Sequence, residues 1–147
     1  MLLDIKKATV EDVTKVALLF DAYRVFYKKP SDLPAAFDFL EQRLSKNEST
    51  VFIAMIKDEA VGFIQLYPIF SSVSLKPAWL LNDLYVAENY RNRGIAESLL
   101  QQAKQFGKET NAAFIILETA SDNYKAQSVY EKNGWIKTQE FFYEYPL

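Results

Sequence analysis

One passage limits the possible folds more than any other. The strand-like run "AWLLNDLYV" enters the short polar loop "AENYRNR", and a helical pattern begins at once. Ile95, Leu99, Ala103 and Phe106 recur on one face of that helix, which ends at Gly107, and the continuously apolar run "AAFIILE" follows. Residues 83–118 therefore read as a β-α-β unit with a right-handed crossover and two strands that are parallel or nearly so. The hydrophobics of the first strand do not alternate cleanly, which points to burial on both faces at the centre of a sheet.

The rest of the chain supplies elements around that unit. "LLDIKKA" reads as an opening strand, and Thr9 is a usable N-cap with Asp12 in the first turn. Val10, Val13, Val16, Phe20 and Tyr23 mark a helix from 10 to about 26, and Phe37, Leu40 and Leu44 mark a shorter one near 33–45. "TVFIAMI" and "AVGFIQLYPIF", separated by the polar turn "KDEA", form a hairpin. A last helix over about 123–132 carries Ala126, Val129 and Tyr130 and stops at Asn133-Gly134; "WIKTQEFFYEYPL" supplies one or two closing strands. The order βααβββαβαβ predicts an α/β protein with a mixed, mostly antiparallel sheet flanked by helices. With 147 residues, half of them apolar, and no linker or repeat, the chain reads as a single domain over 1–147.

Composition narrows the chemistry. Lys and Arg number 17 against 19 acidic residues, which disfavours a nucleic-acid binder relying on phosphate neutralisation. The chain has neither Cys nor His, so it holds no disulfide, no Cys or His nucleophile and no ordinary zinc site. Catalysis would fall to carboxylates, hydroxyls, phenols, amines and backbone groups. No apolar stretch approaches the roughly 20 residues that span a bilayer, and the first residues are too polar for a secretory signal. A cytoplasmic protein with no membrane partner is the expectation.

The segment "YRNRGIAESLL" stands out within this acidic chain. The first N–H groups of a helix lack intrahelical acceptors and carry the positive end of its dipole. Gly94 lets ligand oxygens approach the backbone, and Arg91 and Arg93 add charge, a combination suited to a pyrophosphate. The same residues also fit a plain helix start, although arginine there opposes the dipole. The chain contains neither G-x-x-x-x-G-K-[ST] nor a G-x-G-x-x-G opening a first βαβ unit, which argues against the familiar mononucleotide and dinucleotide folds.

"RNRGIA" fits the Q/R-x-x-G-x-G/A signature of the GCN5-related N-acetyltransferase (GNAT) family, with Ala96 in the last position. "LNDLYVAENYR" before it, "SDNYKAQSVYEKNGW" after it, and the element order agree, so the resemblance covers essentially the whole chain. "DAYRVFYKKPSD" and "LNDLYV" look most like the Hpa2-type and polyamine acetyltransferase subgroup. The resemblance implies that acetyl-CoA is the cofactor. Its pyrophosphate would lie on Arg91, Asn92, Arg93, Gly94, Ile95 and Ala96, and its pantetheine arm would run beside the backbone of Leu84, Tyr85 and Val86. Asn123 and Ala126, on the last helix, would form the other wall. Tyr130 matches the tyrosine that protonates the departing thiolate, a sensible task for a phenol with a reference pKa near 10. An aromatic at that spacing equally suits a core position.

Asp83, beside the reacting end, is the candidate to bind or deprotonate the acceptor ammonium; a buried acid can also be purely structural. Polyamine acetyltransferases tend to carry Glu-Asp at this point, and here the pair is Asn82-Asp83, which puts both the base and a polyamine substrate in doubt. Arg24, Phe26, Tyr27 and Trp79 are candidates for acceptor recognition: the arginine for a carboxylate, the aromatics for an apolar body or a cation. The resemblance thus implies an N-acetyltransferase acting on a small-molecule or peptide amine, with homodimerisation common among relatives. A GNAT-fold protein that binds acyl-CoA as a sensor or scaffold is the rival, and a tyrosine rather than a phenylalanine at 130 speaks against it.

Overall fold

Thr9 and Asp12 determine how the first helix begins. The computed structural model, which describes residues 2–147, closes a reciprocal capping box there: the Thr9 side chain accepts from the Glu11 N–H, and the Asp12 carboxylate accepts from the Thr9 N–H at 2.9 Å. Lys6 adds an ion pair to Asp12 at 2.8 Å. The chain makes one 3-10 turn over Val10–Asp12 and then runs as α1, Val13–Phe26, which buries Val13, Val16, Ala17 and Phe20. Helix α2, Leu33–Ser45, starts from the Asp32 side chain, which accepts from the Ala35 N–H, with a proline in the first turn where no donor is needed.

Five strands form one sheet: β1 (Leu3–Lys7), β2 (Thr50–Ile56), β3 (Glu59–Ser71), β4 (Lys76–Val86) and β5 (Ile115–Ile116), in that spatial order. The first four are antiparallel, and β5 joins β4 in parallel after the crossover helix α3, Ile95–Glu109. The mixed, mostly antiparallel sheet matches the expectation from the sequence. Strand β2 is buried almost throughout, and β3 from Val61 to Leu66, because both faces are covered there. On one face Phe63 meets the rings of Phe20 and Tyr23 edge-on at 6.2 and 5.9 Å. On the other, a Cβ placed on Gly62 would lie 3.4–3.5 Å from Leu99 and Ile95 of α3. Phe63 is fully buried, so truncating it to alanine would cost about 3–5 kcal/mol.

Three expectations are corrected. Helix α3 does not end at Gly107 but continues to Glu109. Gly107 lies inside its last turn, where a Cβ would sit 3.0 Å from Ile115, so the small residue serves close helix-strand packing. The strand expected from "AAFIILE" is only two residues long, because its pairing with β4 stops at Leu80–Ile116. The closing strands are absent: residues 135–147 adopt no helix or strand, and Ile136, Phe141, Phe142, Tyr143 and Tyr145 are exposed. Aromatic β-propensity describes a fit to a half-buried pleated surface and makes no strand without one.

The chain divides into two units, one extending to Leu117 and the other spanning Glu118–Leu147. The second contains α4, Tyr124–Lys132, whose start is capped by the Asn123 side chain accepting from the Ala126 N–H at 3.2 Å. It ends at Asn133, followed by Gly134 with φ of 88°.

Candidate active site

Strand β4 carries a bulge, and the bulge decides where Asp83 points. Leu81 pairs with Leu66 and Asp83 with Gln65, so Asn82 is an extra residue on β4. Successive side chains alternate faces, and one inserted residue reverses the alternation beyond it. Leu66 shares the α3 face with Ile64 and Gly62, whereas Gln65 shares the α1 face with Phe63. Without the bulge Asp83 would follow Leu81 to the α3 face. With it, Asp83 joins Gln65, Tyr85 and Tyr67 on the α1 side.

There Asp83 is 4% exposed and held by donors from its own chain. The Gln65 amide donates to Oδ2 at 2.6 Å and the Asn82 amide to Oδ1 at 3.0 Å. The Tyr23 hydroxyl donates to the Asn82 carbonyl oxygen at 3.4 Å, beside the carboxylate. Burial pushes the Asp83 pKa above the usual carboxylate range, against the opposing pull of the donors from Gln65, Tyr23 and Asn82. The neighbouring phenols respond to burial first and to the acid second: Tyr67 is pushed up to about 12, with Arg43 opposing, and Tyr23 is raised further.

Beyond the bulge the sheet opens. Because β4–β5 pairing ends at Leu80–Ile116, the segment Leu81–Val86 has no strand partner on that side among the described residues, which include Leu84, Tyr85 and Val86. The chain then passes a 3-10 turn at Glu88–Tyr90 and enters α3 through Gly94, which caps the helix at φ 79°, ψ 10°. That left-handed conformation favours glycine. No side chain caps the helix, and a Cβ at Gly94 would find nothing within 4 Å. The donors of the first turn, at Ile95 and Ala96, thus have no side-chain cap, and Asn92 just before them lies in the left-handed region at φ 64°.

The two arginines of this loop are held differently from the simple cradle expected. Arg91 donates from Nε to the Val86 carbonyl at 2.9 Å and lies over the rings of Phe26 and Tyr85 at 5.6 and 5.4 Å. Arg93 lies over Tyr90, whose hydroxyl donates to Glu59 at 2.6 Å. Arg91 thereby joins Ala22, Val25, Phe26, Tyr85 and Glu88 in lining a cleft of about 610 Å³ between the end of α1 and the end of β4.

The acceptor candidates separate. Phe26, 58% exposed, lines this cleft, and Tyr27, 60% exposed, packs edge-on against Tyr23. Arg24 has one guanidinium nitrogen, Nη1, buried without a hydrogen-bond partner among the described residues. Trp79 lies on the opposite face from Asp83: its ring is 4.9 Å from Phe106 of α3, and its indole N–H donates to Thr110 at 2.9 Å. In the second unit, Tyr130 lies on α4 with its ring 6.2 Å from Trp135.

The Acetyltransferase (GNAT) family model matches residues 16–135. This chain belongs to the GNAT family. An uncharacterised N-acetyltransferase of Bacillus subtilis, YhfO, is 42% identical over 95% of this chain and 93% of its own length. The crystal structure of a probable acetyltransferase is 45% identical, covers 98% of this chain and 97% of its own, and superimposes with a TM-score of 0.93. An aminoglycoside N-acetyltransferase in complex with CoA, 20% identical with a TM-score of 0.83 over 99% of this chain and 95% of its own, shares the fold.

This GNAT protein is therefore an N-acetyltransferase that uses acetyl-CoA. The open helix start at Gly94 and the unpaired edge of β4 suit such a group, since both offer backbone donors and acceptors that nothing in the strand ladder or a side-chain cap occupies. Gln65, Tyr23 and Tyr67 were missed from the sequence as site residues. Gln65 did leave a signal, a lone amide within the buried run "VGFIQL". No comparable mark singled out the tyrosines in a chain holding nine of them.

Proposed function

We propose that this GNAT enzyme acetylates a primary amine of a small molecule or an exposed peptide amino group, with Asp83 receiving the ammonium and taking its proton. The observation that carries this reading is a buried carboxylate turned by a bulge onto the α1 face, beside the unpaired edge of β4. Acetyl-CoA supplies an acetyl group activated as a thioester. Arg91 to Ala96 and the backbone of Leu84 to Val86 would hold it, with Asn123 and Ala126. The Asn123 Oδ1 is engaged in capping α4, which leaves its amide nitrogen to donate. Asp83 Oδ would take the proton from the acceptor nitrogen, and Tyr130 Oη would be the proton donor for the departing thiolate. The orphan donor of Arg24 supports an acceptor that bears a carboxylate.

Thiol release from acetyl-CoA, followed across a panel of amines and amino acids, tests this. Release should accelerate with an amine, and amino acids should outperform their methyl esters. Tight CoA binding with no amine-dependent release would instead identify an acyl-CoA sensor or scaffold. Tyr130→Phe should lower kcat by roughly 100-fold, the lower range for a lost general acid, while leaving the Kd for acetyl-CoA nearly unchanged. Equal losses in both would make Tyr130 a packing residue.

A further inference from the structure

Gln65 is the one fully buried polar side chain on β3, at 0% exposure, and its two amide atoms are used unequally. Nε2 donates to Asp83 at 2.6 Å, whereas Oε1 has no hydrogen-bond partner among the described residues. An ionised carboxylate selects this orientation, because Oε1 in place of Nε2 would set two acceptors against each other. The arrangement satisfies the acid at the expense of a buried carbonyl. It reverses when the acid is protonated. A carboxylic acid presents an O–H donor, and half a turn of the Gln65 amide about its terminal bond brings Oε1 to accept it without moving the rest of the side chain.

We propose that Gln65 is the positioning residue for Asp83, an amide that donates to the carboxylate before proton transfer and accepts from the carboxylic acid after it. This rests on the reading of Asp83 as the base. The transfer moves one proton, from the acceptor's ammonium nitrogen to a carboxylate oxygen: the N–H bond breaks, the O–H bond forms, and the nitrogen keeps its electron pair for attack. The carboxylate's ring of donors makes such an acid a weak base, and its burial makes it a stronger one. Gln65 adjusts between the two states by exchanging which amide atom faces the acid, its carbonyl gaining that partner as Nε2 gives it up. The bulge at Asn82 supplies the geometry by bringing residues 65 and 83 opposite each other on the α1 face. The other titratable groups that interact with this acid are Tyr23 of α1 and Tyr67 of β3; behind them, Tyr27 of α1 and Tyr85 of β4 pack on Tyr23, and Arg43 of α2 acts on Tyr67.

The test compares pH–rate profiles of wild type, Asp83→Asn and Gln65→Met, the last keeping an unbranched chain of similar volume. The ascending limb that disappears in Asp83→Asn belongs to the acid. In Gln65→Met that limb should move to higher pH by about one unit, because a donor to the ionised form is lost. Maximal kcat should fall about 10-fold or more while the KM for acetyl-CoA holds. A uniform loss with an unmoved limb overturns the proposal and leaves Gln65 structural. A limb that survives in Asp83→Asn instead overturns the reading of Asp83 as the base.

A second measurement needs no folded variant. In ¹⁵N-labelled wild-type protein, the Gln65 side-chain amide, the slowest-exchanging glutamine amide expected from its burial, should shift through pH with the same midpoint as the activity limb. A resonance that does not move with that midpoint overturns the proposal.

Discussion

Asp83 and Gly94 lie along one strand-loop-helix passage and are built in opposite ways. Asp83 is enclosed: a bulge aims it, and Gln65 and Asn82 occupy its oxygens with the Tyr23 hydroxyl close by. Gly94 is open: its left-handed backbone starts a helix that no side chain caps, with nothing within 4 Å of where a Cβ would stand. The enclosed region owes its geometry and its partners to the core of the protein itself. The open region leaves its first-turn donors without a side-chain cap. Substitutions in the first should therefore alter pH dependence and stability, and those in the second should alter ligand affinity with little effect on the fold.

Asp83→Asn should show the largest effect. Loss of a general base costs roughly 10²–10⁴-fold in kcat. The same change removes a charge whose ionisation burial opposes, so the melting temperature should hold or rise. Activity and stability moving in opposite directions would mark an acid retained for chemistry. A large fall in melting temperature would show that the carboxylate chiefly holds β3 to β4, and the contrast with Gly94 would collapse.

Gly94→Glu comes next. The side chain has room within the protein, and the positive φ costs a non-glycine residue about 1–2 kcal/mol. The carboxylate, however, would stand where a pyrophosphate is expected. Isothermal titration should show CoA binding weakened by roughly 100-fold, about 2.8 kcal/mol, with the circular dichroism spectrum unchanged. Undiminished affinity would refute the cradle. Gly94→Ala separates strain from repulsion, and should retain most of the affinity that the glutamate loses.

How much of this was legible in the sequence follows the same division. The uncapped helix start at Gly94 could be read from residue types, because a lone glycine after a basic loop and before an amphipathic helix has a direct backbone meaning. The helices and the hairpin came through because their apolar periods are long and regular. What escaped depends on pairing between distant segments. The bulge at Asn82 arises from the register of β3 against β4, and no local pattern in "LLNDLY" reports it. Arg91 was legible as charge but not as a side chain stacked between Phe26 and Tyr85, since that requires α1 to end beside β4. The tail "FFYEYPL" misled for the converse reason: its composition favours a strand, and its side chains remain exposed.

Asp12 offers the finest test, because it is nearly as buried as Asp83, at 8% against 4% exposed, yet shifts the other way. Burial again resists its ionisation, but the Lys6 ammonium and the Thr9 donors outweigh that and lower its pKa. The signs then oppose. A depressed native pKa gives Asp12 a stabilising contribution that is present above the unfolded carboxylate value and is lost as pH falls through the native one. The raised pKa of Asp83 makes stability decline as pH rises from the unfolded value through the native one. Asp12→Asn should therefore cost about 1 kcal/mol at neutral pH, the usual size of a capping interaction, and flatten the loss of stability on the acid side. Asp83→Asn should flatten the decline toward higher pH and leave the acid-side loss in place. Chemical denaturation from pH 3 to 8 reads both slopes. If the two variants altered the same limb, burial alone would govern these acids, and the partners drawn around each would have little influence.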